Sequence, residues 1–203
     1  MRSAKAPGQA PVSSYCIKPK DTVPKYVTVI TNRGTKAFGF LVMFYDPYLP
    51  NGLELGLGVL RAKTLEELLR QTDTLSVHTP LTPETRGMLG LRELSLLPKG
   101  AVVVNTARGP IVDIDAVATL LKSGHLAGVG LDVMPVEPPV EPVPELIRAY
   151  RAREPWTVGR LAITPHSAFY TPQAWDDIRS KGAETMAAAL AGKPQNVIAP
   201  ESY

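Results

Sequence analysis

Short apolar runs alternate along this chain with segments of helical period. Phe40-Leu41-Val42-Met43-Phe44-Tyr45 is continuous and bounded by Gly39 and Asp46-Pro47, which predicts a strand buried on both faces. Thr74-Leu75-Ser76-Val77-His78 predicts a second strand, Ala101–Asn105 a third, Val129–Val133 a fourth, and Leu161-Ala162-Ile163-Thr164, stopped by Pro165, a fifth. Helices fall between them. Thr64-Leu65-Glu66-Glu67 has the form of a capping box opening TLEELLRQ. Leu91–Leu97 is short and stopped by Pro98. Asp113 caps IDAVATLLKS, which Gly124 ends. Thr171 followed by Pro172 opens a last helix running to Ala191. Residues 1–26 carry Pro7, Pro11, Pro19 and Pro24 without apolar period and predict a loose N-terminal tail; residues 193–203 predict a C-terminal tail. Pro135, Pro138, Pro139, Pro142 and Pro144 rule out helix or strand between them and predict a loop.

The strand–helix alternation implies an α/β fold, a doubly wound parallel sheet covered by helices on both faces. In such sheets ligands sit beyond the carboxyl ends of the strands. Those ends carry Asp46, then His78-Thr79-Pro80, then Thr106-Ala107-Arg108-Gly109, and finally Pro165-His166-Ser167, with Asp132 inside the fourth strand. An arginine, two acids and a histidine thus converge on one edge.

Composition narrows the class. Apolar residues at 44% and charged residues at 20% are those of a globular chain. The formal net charge is +3, but the basic residues are scattered, which argues against a nucleic-acid-binding stripe. The apolar runs are far too short to span a membrane, and the first residues lack the apolar core of a secretory signal. The single cysteine, Cys16, excludes an internal disulfide and cannot alone make a thiolate metal site; no metal is expected.

Each candidate has a plainer reading beside the chemical one. Asp46 could accept both hydroxyls of an adenosine ribose and repel a 2′-phosphate, or simply open an Asp-Pro turn in DPYLPNG. Arg108 presents a fork suited to a carboxylate and a neighbouring carbonyl oxygen, or a surface ion pair. His166 suits proton transfer near neutral pH, with Glu137 of the proline loop available to pair with the imidazole and raise its pKa; the plainer readings are a strand-end histidine and a solvated glutamate.

Read together, KAFGFLVMFYDPYLPNGLE, DTLSVHTPLTPETRGMLG, PKGAVVVNTARGPIVD, GVGLDVMPVEP and ITPHSAFY resemble the D-isomer-specific 2-hydroxyacid dehydrogenases, especially the branch containing the C-terminal binding protein corepressors. The resemblance implies a Rossmann-type NAD-binding domain over residues 27–192 and a catalytic set of Arg108, Glu137 and His166. Arg108 would hold the substrate, Glu137 would pair with the histidine, and His166 would be the general acid/base. It implies cofactor contacts from Asp46, Thr79, Pro80, Thr106, Ala107, Arg108, Asp132 and His166, with NAD as cofactor and a 2-hydroxy or 2-keto acid as substrate. It implies no direct nucleic-acid partner and no membrane, leaves a homodimer open, and places the protein in the cytoplasm, or in the nucleus if it is a corepressor-like NAD(H) sensor.

One departure stands out. The family's first strand leads into a G-x-G-x-x-G turn at the pyrophosphate. Here VTVITNRGTKAFGF precedes the match, and Gly34 is the only glycine between Gly8 and Gly39. The expectation is therefore a partial domain lacking its first strand–helix unit, without the other wall of the substrate cleft. An inactive remnant is the third reading.

Overall fold

The computed structural model describes residues 14–19 and 39–195. The described residues fall into two compact units, one ending at Pro165 and the other beginning at His166.

The larger unit is an α/β sheet unit. In chain order it contains β1 (Ser14–Pro19), β2 (Phe40–Tyr45), α1 (Leu53–Leu57), β3 (Leu60–Arg61), α2 (Leu65–Arg70), β4 (Thr74–Val77) and α3 (Leu91–Leu94). It continues with β5 (Ala101–Asn105), a 3-10 turn (Gly109–Ile111), α4 (Ile114–Lys122), β6 (Leu126–Leu131), α5 (Glu145–Arg151) and β7 (Leu161–Ile163). One seven-stranded sheet runs in the order β3-β2-β1-β4-β5-β6-β7. β4 through β7 pair in parallel, as do β2 and β3. All four residues of β4 are buried, as expected of a strand covered on both faces.

The five predicted strands and four predicted helices are present, with shifted ends. β6 begins at Leu126 and stops at Leu131, so Asp132 lies just past the strand rather than within it. The helix expected over Leu91–Leu97 stops at Leu94. Caps form where the side chains predict them. Thr64 Oγ1 accepts from Glu67 N at 3.1 Å, although the Glu67 carboxylate reaches back to Lys63 N rather than to Thr64 N. Asp113 Oδ1 accepts from Asp115 N and Ala116 N, and Thr171 Oγ1 from Ala174 N. Gly124, at φ 75°, ends α4 in the left-handed turn that favours glycine.

One element corrects the expectation of a loose tail over residues 1–26: Ser14–Pro19 of that stretch form β1. This strand lies between β2 and β4 and runs antiparallel to both. The rest of the predicted tail, and the possible substitute strand at 27–30, lie outside the described residues.

Most buried side chains form one cluster spanning β4–β6, α2, α4 and α5, while Val42, Phe44 and Val59 form a smaller one on the β2 side. Arg160 ties the amino edge together by donating to the carbonyls of Leu121, Leu126 and Ala127. The smaller unit contains α6 (Pro172–Leu190), whose residues are all at least partly exposed. Among the described residues no helix is long and apolar enough to cross a membrane.

Candidate active site

The carboxyl edge of the sheet is built from loops, each pinned by a side chain that its strand or a neighbouring strand supplies. After β2, the plainer turn reading of Asp46 is formed: Oδ1 accepts from Tyr48 N at 2.9 Å and from Leu49 N at 3.3 Å, and the residue is buried. Arg61 of β3 holds this turn from outside. Its Nη2 donates to Asp46 O at 2.7 Å and Leu49 O at 2.8 Å, its Nη1 to Pro50 O at 3.0 Å, and its guanidinium lies over the Phe44 ring. An arginine committed to three carbonyls is a poor receptor for a phosphate.

After β4, Thr79 is buried and Thr85 Oγ1 donates to Pro80 O at 2.6 Å. Tyr48 donates from its hydroxyl to Glu84, joining the loop after β2 to the loop after β4. His78 Nε2 meets Ser76 Oγ at 2.8 Å, and burial pushes the ring below the usual imidazole range. The unfolded chain then binds a proton that the folded ring resists, so unfolding free energy declines as pH falls below about 6.5. Thermal denaturation across pH 5–8 is expected to show this slope, and His78→Gln to flatten it in part.

The loop after β5 carries Thr106, Ala107 and Arg108. Asn105 is buried and holds it from both sides: its Nδ2 donates to Arg108 O at 3.0 Å and its Oδ1 accepts from Ala107 N at 3.0 Å. The Arg108 side chain is exposed, and its Nη1 donates to Ala107 O. Gly109 then passes directly under the next loop. A Cβ at this position would lie 1.9 Å from Met134 O and 2.4 Å from Pro135 N. The Arg108 loop and the loop carrying Glu137 are therefore in backbone contact, and only glycine permits it.

Asp132, just past β6, is buried and accepts from Thr164 Oγ1 beside β7. Glu137 is exposed, and its Oε1 accepts from Met134 N at 2.6 Å, which folds the side chain back over its own loop. The tetrapeptide Pro-Val-Glu-Pro occurs twice in succession, over 135–138 and 139–142. The second glutamate, Glu141, accepts from Val143 N at 3.2 Å. His166 opens the smaller unit. It has φ 53°, rare for a residue other than glycine, and its ring meets Phe169 edge-on at 6.1 Å. A backbone held in this region is a mark of functional sites.

The structure thus brings Arg108 and Glu137 onto touching loops of one unit and places Asp46, Thr79, Pro80, Thr106, Ala107 and Asp132 along the same edge. Asn105, Arg61 and Thr164 had no signal as site residues in the sequence, because each acts through a partner that only the fold supplies. Among the described residues no cluster of His, Cys, Asp or Glu is arranged to hold a metal ion.

A mostly parallel α/β sheet with an acid after β2 and an arginine loop after β5 has the layout of a nucleotide-binding domain. The comparisons with known proteins make this definite. Residues 29–168 match the family described as D-isomer specific 2-hydroxyacid dehydrogenase, NAD binding domain, and the chain belongs to that family. It is 32% identical over 170 residues to a glycerate dehydrogenase of Methylorubrum extorquens, covering 80% of this chain and 46% of that protein. Among solved structures it is similar to a glyoxylate reductase from Paecilomyes thermophila, with TM-score 0.68, 31% identity, and 84% and 48% of the two chains covered. It is also similar to a D-lactate dehydrogenase from Aquifex aeolicus solved with NAD and lactic acid, with TM-score 0.65, 30% identity, and 80% and 50% covered. The chain spans about half the length of these relatives.

Proposed function

We propose that the chain is the coenzyme-binding half of an NAD-dependent dehydrogenase for D-2-hydroxy acids. The observation that carries this is the seat of Gly109 against Met134 and Pro135, which joins the loop of the candidate substrate arginine to that of the candidate acid at the ligand edge. Arg108 would bind the substrate carboxylate and polarise its carbonyl oxygen. His166 would hold the proton that the alkoxide receives, and Glu137 would orient the imidazole. The coenzyme supplies the hydride when bound. Asp46 would take the adenosine ribose, and Asp132 with Thr79, Pro80, Thr106 and Ala107 would lie toward the nicotinamide end.

Residues 27–192 are the proposed partial domain, to which β1, Ser14–Pro19, adds a strand from the stretch before it. Within the family we place it nearest the corepressor branch, on FYDPYLPNGLE. The dehydrogenase reading is preferred to a nucleotide sensor because arginine, glutamate and histidine are all present at their motif positions. A cytoplasmic homodimer acting on a small acid, with no direct nucleic-acid partner, completes the proposal.

The test is to join the substrate-domain half of the Methylorubrum extorquens glycerate dehydrogenase to this chain and follow NADH oxidation with glyoxylate or hydroxypyruvate. Turnover is expected, with Arg108→Ala raising KM and lowering kcat together. A folded fusion that binds both ligands without turnover would refute the proposal.

A further inference from the structure

A groove of about 340 Å³ lies where the end of α4, one face of α5 and the turn leading into β7 meet. β6 and β7 begin beside these segments, at Leu126 and Leu161, so the groove belongs to the amino edge, away from Asp46 and Arg108. Arg153 shapes the turn. It stands at φ 53°, a conformation costly for any residue but glycine, and Glu154 N returns to Ala149 O at 3.0 Å. The reversal puts Glu154 and Trp156 into one groove with Arg148, Ala149 and Ala152. Trp156 is half-buried against the main core. Lys122 Nζ lies 5.8 Å from the centre of its ring and pairs with Glu145 Oε1 at 3.0 Å. A glutamate three residues before an arginine on a helix is its natural partner, but Lys122 has taken Glu145. Among the described residues the exposed side chains of Arg148 and Glu154 form no hydrogen bond or ion pair, with each other or with any neighbour.

We propose that this groove binds a free α-amino acid with an apolar side chain. The Arg148 fork takes the carboxylate, and the Glu154 carboxylate takes the ammonium. The ligand's side chain rests on Ala149, Ala152 and the exposed part of the Trp156 ring. Charge selects this class. The Lys122–Glu145 pair is neutral as a unit, so the groove offers one uncommitted cation and one uncommitted anion. A plain carboxylate satisfies the first and is repelled by the second; a zwitterion satisfies both. The volume suits a small ligand, since such sites run from roughly 300 to 1,000 Å³. The inference goes beyond the coenzyme reading and does not depend on it.

The test uses the full chain. Trp156 and Trp175 are its two tryptophans, so a Trp175→Phe background leaves Trp156 as the reporter. Its fluorescence is titrated with L-leucine, with L-leucinamide, which lacks the carboxylate, and with N-acetyl-L-leucine, which lacks the ammonium. Calorimetry repeats the titrations on the chain with both tryptophans. L-leucine is expected to give a saturable change, and each analogue to bind about 10- to 100-fold more weakly for the loss of one charge-assisted contact. Arg148→Gln is expected to abolish the preference over leucinamide while keeping that over N-acetyl-leucine, and Glu154→Gln to do the reverse. No saturation by L-leucine up to about 10 mM in either measurement overturns the proposal. Equal affinity for N-acetyl-L-leucine overturns it too, because the groove would then take carboxylates generally, a peptide C-terminus included. Unchanged discrimination in both variants removes Arg148 and Glu154 from recognition, and the site falls with them.

Discussion

Gly109→Ala is expected to destabilise the chain by about 3 kcal/mol or more, a loss of roughly 6–12 °C in Tm for a protein of this size. The added methyl has nowhere to go. Its carbon would sit 1.9 Å from Met134 O and 2.0 Å from the Met134 carbonyl carbon, both backbone atoms that no rotamer change can move. Relief requires the Arg108 loop and the proline loop to separate. That would break the bond from Asn105 Nδ2 to Arg108 O or shift Met134, which is itself buried and donates from its amide to Glu137. Gly124→Ala is the control. Gly124 needs its positive φ but has open space around its Cβ position, so the expected loss there is only about 1–2 kcal/mol of left-handed backbone strain. Thermal unfolding of the two variants side by side checks the difference. Equal losses would mean that the loops are not in contact in solution.

Much of the sheet was legible because the apolar runs are continuous and end on glycine, proline or aspartate. FLVMFY and AVVVN need no tertiary information to be read as strands, although FLVMFY is not buried on both faces as expected: Val42 and Phe44 are buried and Leu41 is exposed. Thr64, Asp113 and Thr171 announce their helices through local hydrogen bonds that the folded chain makes. The start of β6 was hidden by Ala127-Gly128, whose strand conformation comes from pairing with β5 rather than from side-chain preference. α5 was masked by the proline run before it, although Pro144 serves as its first flanking residue. β1 had no period to detect. SYCIKP mixes polar and apolar residues, and its place follows from the two unpaired strand edges on either side.

At the site, residue identities were readable but their supports were not. Arg108 and Glu137 stand in recognisable motifs. The contacts that set their loops join positions far apart in the chain, such as Arg61 with Asp46 and Thr164 with Asp132. The doubled Pro-Val-Glu-Pro illustrates the same point. Motif alone offers two glutamates, and the fold separates them by giving Glu137 to Met134 N beside the arginine loop and Glu141 to Val143 N beside α5.

In the fusion carrying a substrate domain, His166→Asn is expected to lower kcat by about 10²- to 10⁴-fold, the usual contribution of a positioned general acid. Asparagine is the informative replacement because it tolerates the left-handed backbone that residue 166 adopts at φ 53°. A variant such as His166→Val would confound lost proton transfer with backbone strain. Glu137→Gln should cost less in kcat, since it leaves the imidazole in place and removes only its charged partner. The 203-residue chain alone should turn over at least about a thousandfold more slowly than the fusion. Holding substrate and coenzyme in attack geometry is worth about 7–11 kcal/mol when complete, and a chain covering 46% of a relative's length carries only part of that arrangement. Initial rates of NADH oxidation across the four proteins, with far-ultraviolet circular dichroism to confirm folding, decide the matter. Retention of most of the fusion's kcat in His166→Asn would remove the histidine from the chemistry and leave Arg108 and Glu137 as binding residues only.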